Sequence, residues 1–79
     1  PWNLPYCTGG SSSGSGAGVA ARFFYAALGS DTGGSIRLPA TICGVTGLKG
    51  TQTRVSRAGA MPLSFTMDNV GPLTRTARD

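Results

Sequence analysis

Two glycine-rich turns carry the residues that could do chemistry. The first is GGSSSGSG, Gly9 to Gly16, and the second is GSDTGGSIRLP, Gly29 to Pro39. A serine hydroxyl is a poor nucleophile until a neighbouring group takes its proton. The chain has no His, so the natural relay is a second hydroxyl backed by a neutral lysine. The second turn adds consecutive backbone N–H groups at Thr32, Gly33, Gly34 and Ser35. Such a nest can hold a developing oxyanion, where loss of one donor typically costs about 3–4 kcal/mol of barrier. Taken singly, each serine reads as a helix cap or turn former. Two such turns bracketing one helix shift the balance toward nucleophilic catalysis.

Other glycine motifs fit less well. Gly10-Ser11-Ser12-Ser13-Gly14 matches the G-x-S-x-G elbow and would nominate Ser12. That elbow must follow a strand and needs a histidine partner; PYCTG is a poor strand and no histidine is present. Gly16-Ala17-Gly18 with Ala21 matches G-x-G-x-x-A, but serines and glycines precede it rather than a buried strand. A Walker loop has no counterpart, because no Gly-Lys-Ser or Gly-Lys-Thr occurs. Cys7 and Cys43 lack metal-ligand spacing, so no metal site is expected.

The elements that must position these turns read as follows. Pro1 to Thr8 is an extended lead-in with two prolines and two aromatics. Ala17 to Leu28, AGVAARFFYAAL, repeats Val19, Phe23 and Ala27 at helical spacing, with Ala20 and Phe24 as a second row. A helix apolar almost all round is normally buried, and Ser12, Ser13 or Ser15 could cap it. The Gly/Ser run resembles a flexible linker, yet it leads straight into this apolar helix, which argues against slack chain. Ala27–Ser30 is a short strand and Asp31–Ser35 a tight turn. A helix follows in IRLPATIC, with Pro39 tolerated only in its first turn. Gly44–Gly50 is a glycine-interrupted strand, Val55–Asp68 a loop, and Asn69–Thr76 holds one more strand. Interleaved helices and short strands predict an α/β fold.

The totals bound the partners. The chain has 79 residues, a net charge of +4 and a charged fraction of 13%, against roughly 25% for an ordinary soluble domain. A free-standing domain this small is nearly all surface and should be richer in charge, so residues 1–79 are expected to be an internal part of a single larger domain. The Lys and Arg residues are scattered singly without interleaved aromatics, so no direct nucleic-acid contact is expected. No apolar stretch approaches the roughly 20 residues of a membrane span. Two thiols are compatible with a reducing cytoplasm, the expected compartment.

At the level of whole segments, GGSSSGSGAGVAA, ALGSDTGGSIRLPATICGVTGLKG and RVSRAGAMPLSFTMDNVGPLTRTARD resemble the amidase signature family along nearly the entire chain. The resemblance implies a Ser–Ser–Lys triad on an α/β fold built around a mixed sheet. Ser35 corresponds to the nucleophile that forms the acyl-enzyme. Ser11, 24 positions earlier, corresponds to the bridging serine that follows a cis peptide bond. Thr32, Gly33 and Gly34, with the N–H of Ser35, correspond to the oxyanion hole, and Asp31 and Arg37 to positions supporting the site. The catalytic lysine of the family lies upstream of Pro1; Lys49 corresponds to a structural Gly-Leu-Lys-Pro-Thr element and is not expected to be the base. Thr8 and Gly50 depart from the family's prolines at those places.

The implied reaction is hydrolysis of a small-molecule carboxamide without cofactor, and a homo-oligomer is compatible with it. The family also includes the glutaminase-type component of tRNA-dependent amidotransferases and could include a catalytically silent homologue. Family pockets are lined largely outside such a segment, so the substrate amide stays open. The 79 residues alone are expected to be inactive.

Overall fold

The computed structural model describes residues 2–79. In chain order it comprises α1 (Ser13–Ala20), β1 (Ala26–Asp31), α2 (Arg37–Cys43), β2 (Thr46–Gly47) and β3 (Asn69–Thr74). The three strands form one sheet in the order β1-β3-β2, with both pairings antiparallel. Ala26 to Asp31 run opposite Thr74 to Asn69, and Thr46 and Gly47 lie opposite Thr74 and Leu73. The helices and the sheet share a small core of Val19, Ile36, Ala40, Cys43 and Leu73. The α/β class is as expected.

The first helix is displaced from its expected place. It begins inside the Gly/Ser run and ends at Ala20, well short of Leu28. Its last turn closes with the Arg22 N–H donating to Val19 C=O at 3.1 Å and the Phe23 N–H to Gly18 C=O at 3.0 Å. That pair of bonds is a Schellman stop, with Arg22 in the left-handed position at φ 64°. Glycine normally occupies such a position, so the stop carries no obvious sequence signal. The expected burial of Phe23 and Phe24 is corrected with it: Phe23 is exposed and Phe24 lies over Gly18 with its ring partly open. Tyr25 is exposed too, under the Arg75 guanidinium.

Hydroxyls tie α1 to the sheet edge. None of the three candidate serines caps the helix through its side chain. Ser12 Oγ instead accepts from the Ser30 N–H at 3.1 Å and donates to the Ser30 C=O at 3.3 Å. Ser15 Oγ donates to the Leu28 C=O at 2.8 Å. β1 is an edge strand, and these hydroxyls occupy polar groups that an edge otherwise leaves unpaired. The approach needs a glycine: a Cβ on Gly29 would fall 2.6 Å from Ser12 Oγ and 2.8 Å from Leu73.

Two prolines explain the remaining boundaries. Pro72 accepts from the Leu48 N–H at 3.1 Å but has no N–H to return. Pairing therefore ends at Gly47, and the strand expected over Gly44–Gly50 shrinks to two residues. Pro39 sits in the first turn of α2, where a missing N–H is tolerated.

Candidate active site

The absent N–H of Pro39 has a consequence for the serine turns. In a regular helix residue 39 would donate to the C=O of residue 35. With proline there, the Ser35 carbonyl is free of that bond, and it accepts from the Ser12 N–H at 3.1 Å. This single backbone bond ties the Ser11 turn to the Ser35 turn. The Gly10–Ser11 peptide bond beside it is cis. Ser11 and Ser35 both line one cavity of about 410 Å³.

Asp31, at the end of β1, organises the second turn. Its carboxylate is fully buried. It accepts from the Gly34 N–H at 2.7 Å, the Ile36 N–H at 3.1 Å and the Arg37 N–H at 3.3 Å. The Arg37 guanidinium meets both oxygens, at 3.0 and 3.1 Å, in the fork geometry that suits a carboxylate. Lys49 Nζ lies 3.3 Å away and also donates to the Thr32 C=O at 2.7 Å. Burial alone would push the Asp31 carboxyl up; the Arg37 side chain, the Ile36 and Arg37 N–H groups and Lys49 outweigh it and hold the group far below the usual carboxylate range. The same pairing raises Arg37. The ionised Asp31 carboxylate thus gathers the turn around itself.

The expected oxyanion donors separate on this geometry. The Gly34 N–H donates to Asp31 at 2.7 Å. Gly34 has φ 141°, where a side chain would be strained, so its part is to shape the turn. Among the described residues the N–H groups of Thr32, Gly33 and Ser35 have no hydrogen-bond acceptor. Thr32 and Ser35 line the cavity and Gly33 is exposed. Three unpaired N–H groups clustered around Ser35 are suited to a negatively charged oxygen.

The far wall comes from a region in which the sequence singled out no site residue. Arg57, Met61, Leu63, Phe65 and Asp68 line the cavity together with the serines. Their loop is held by Arg57 Nη1 donating to the Phe65 C=O at 2.7 Å and by Asp68 accepting from the Leu63 and Ser64 N–H groups. Asp68 also accepts from Thr32 Oγ1. That bond leads the causes that lower its carboxyl, against burial, with the two loop N–H groups and Arg57 adding to it. No local spacing announces a contact between residues 36 positions apart. Among the described residues no three His, Cys, Asp or Glu side chains converge as a metal site, and no helix is long and apolar enough to cross a membrane.

Comparison with known proteins bears on this site. The family model described as Amidase matches residues 1–79. The A-type chain of glutamyl-tRNA(Gln) amidotransferase from Brevibacillus brevis is 57% identical over the full chain, and its counterparts from Desulforapulum autotrophicum and Roseiflexus castenholzii are each 58% identical. The chain spans 16% of the length of these relatives. A solved structure described as an amidase superposes on 91% of the chain and 17% of its own length, with TM-score 0.89 and 56% identity. A second, from a vestigial protein complex described as revealing the evolutionary origins of an s-triazine catabolic enzyme, covers 85% of the chain and 15% of its own length, with TM-score 0.83 and 54% identity. With its whole length matched by the family model and its fold shared with a solved amidase, the chain belongs to the amidase signature family.

Proposed function

We propose that these residues are the nucleophile-bearing part of a longer amidase, which cleaves a carboxamide C–N bond through an acyl-enzyme. The observation that carries this reading is the Ser12 N–H to Ser35 C=O bond, which brings both serine turns to one cavity. Ser35 Oγ attacks the carbonyl carbon while Ser11 Oγ takes its proton and passes its own to a neutral lysine. The carbonyl oxygen, now negative, is received by the N–H groups of Thr32, Gly33 and Ser35. Collapse of the tetrahedral intermediate breaks the C–N bond, and the relay returns a proton to the leaving nitrogen. Water then enters by the same relay and releases the acid. Lys49 is not the base, because its ammonium is committed to Asp31 and the Thr32 carbonyl; the base is a lysine outside these residues.

A second reading concerns the substrate. The amidotransferase relatives named above favour glutamine as the amide, with its ammonia passed to a partner protein for tRNA-linked amidation. Hydroxylamine added to the intact enzyme tests both. An acyl-enzyme transfers its acyl group to give a hydroxamate, and a Ser35→Ala variant should give none. Glutamyl hydroxamate formed from glutamine in preference to simple carboxamides supports the amidotransferase reading; the reverse preference supports a stand-alone amidase. Hydroxamate production undiminished in Ser35→Ala would refute the assignment of the nucleophile.

A further inference from the structure

Asp68 belongs to neither serine turn, yet it joins the two walls of the cavity. One carboxylate oxygen, Oδ1, accepts from Thr32 Oγ1 in the turn after β1. The other, Oδ2, accepts from the Leu63 N–H at 2.8 Å and the Ser64 N–H at 2.9 Å in the opposing loop. Arg57 lies near enough to favour the ionised carboxyl, and its own guanidinium is anchored to the Phe65 carbonyl at 2.7 Å. Thr32 is gripped from behind as well, where Lys49 Nζ donates to its carbonyl at 2.7 Å. Thr32 is therefore clamped at carbonyl and hydroxyl, which fixes the peptide plane that follows it. That plane bears the Gly33 N–H, one of the unpaired donors beside Ser35.

We infer that Asp68 is a positioning residue: through the Thr32 hydroxyl it locks the wall of the substrate pocket to the oxyanion turn. The inference rests on the proposed role of that turn. It gives the loop two tasks, contacting the acyl group and setting the donors that receive the negative charge. A donor misplaced by a fraction of an ångström is still present, but it no longer meets the oxygen of the transition state. Loss of the lock should therefore act on kcat, whereas loss of loop contacts alone should act on KM.

The test uses the intact enzyme. Thr32→Val keeps the backbone N–H and the side-chain shape while removing the hydroxyl, and should lower kcat about ten-fold with KM little changed. Thr32→Ser restores the hydroxyl and should restore most of kcat. Asp68→Asn can keep both links with one reversed, its oxygen accepting from the loop and its NH₂ donating to Thr32 Oγ1, so it should stay within about three-fold of wild type. Asp68→Ala should lower kcat as far as Thr32→Val and also raise KM. The double variant Thr32→Val/Asp68→Ala should lose no more kcat than Asp68→Ala, because the two groups share one interaction. Wild-type kcat in Thr32→Val, or multiplying losses in the double variant, overturns the inference; should Asp68→Ala not fold, the Val and Ser variants at position 32 decide it. Fluorophosphonate labelling separates the two levels. Wild-type labelling at Ser35 with an unaffected Thr32→Val overturns the lock alone, whereas no labelling at Ser35 overturns the acyl-enzyme reading and the lock with it.

Discussion

The turn from Asp31 to Arg37 and the loop from Arg57 to Asp68 face each other across one cavity, and they are held in opposite ways. In the turn, backbone N–H groups, Arg37 and Lys49 converge on a single buried carboxylate. In the loop, the large side chains at Met61, Leu63 and Phe65 stand 94, 82 and 77% exposed, and a few turn bonds with Asp68 maintain the path. The turn cannot change a member without leaving buried polar groups unpaired. Within these residues the loop's apolar side chains are not packed, so exchanging them costs this part of the fold little stability. On the proposed reading, chemistry is placed where variation is expensive, and substrate contact where it is cheap.

Substitutions in the two regions should differ in size and in kind. The largest effect is expected from Asp31→Ala, which orphans the donors gathered on it. Breaking a buried charge cluster of this kind costs about 3–5 kcal/mol, so the intact enzyme should melt at a visibly lower temperature and turn over no substrate. Next comes Pro39→Ala. It supplies a helical N–H that competes for the Ser35 carbonyl, loosens the link to Ser12, and should lower kcat about ten-fold with little change in KM. Steady-state kinetics with a near-native melting curve would separate it from a folding defect. A native kcat would show that the serine turns do not depend on that bond.

Acid should act on both regions, since the carboxyls of Asp31 and Asp68 are both held below their ordinary value. Asp31 has a carboxyl held far below its ordinary value, so its contribution to stability is fully present above the unfolded carboxylate range. That contribution is lost progressively as pH falls below about 4, toward the folded value. Asp31→Asn should therefore flatten the acid limb of a melting-temperature profile, while Phe65→Ala should leave its slope unchanged. The smallest effects belong to the loop. Met61→Ala or Phe65→Ala should shift KM by a few-fold among amides of different acyl groups, with the melting temperature moved by less than about 2 °C. A large loss of stability from either would contradict the division drawn above.

Much of the turn was legible in advance because it is local. Asp31, Ser35 and Arg37 lie within seven residues, and the family resemblance already assigned Asp31 and Arg37 to supporting the site; that the carboxylate gathers the turn's N–H groups is seen only in the fold. Pro39 was legible as a first-turn proline, although the partner that its missing N–H leaves free was not. The first helix was misplaced because Gly, Ala and Ser give little apolar periodicity, and its stop depends on Arg22 accepting a conformation usual for glycine. The FFY run then drew the expected helix too far. The bond from Thr32 to Asp68 joins residues far apart in the chain, and only the packed fold brings them together. The shortness of β2 was in principle readable, since Pro72 cannot return a bond to Leu48, but it required knowing that those two segments pair.

The decisive experiment is to treat the intact enzyme with a fluorophosphonate and map the modified residue by peptide mass. Ser11→Ala and Ser35→Ala variants are treated alongside. With Ser35 as nucleophile and Ser11 as its relay, modification should fall at Ser35, slow in Ser11→Ala and vanish in Ser35→Ala. Modification at Ser12, or at Ser35 with a rate unchanged in Ser11→Ala, would contradict those roles.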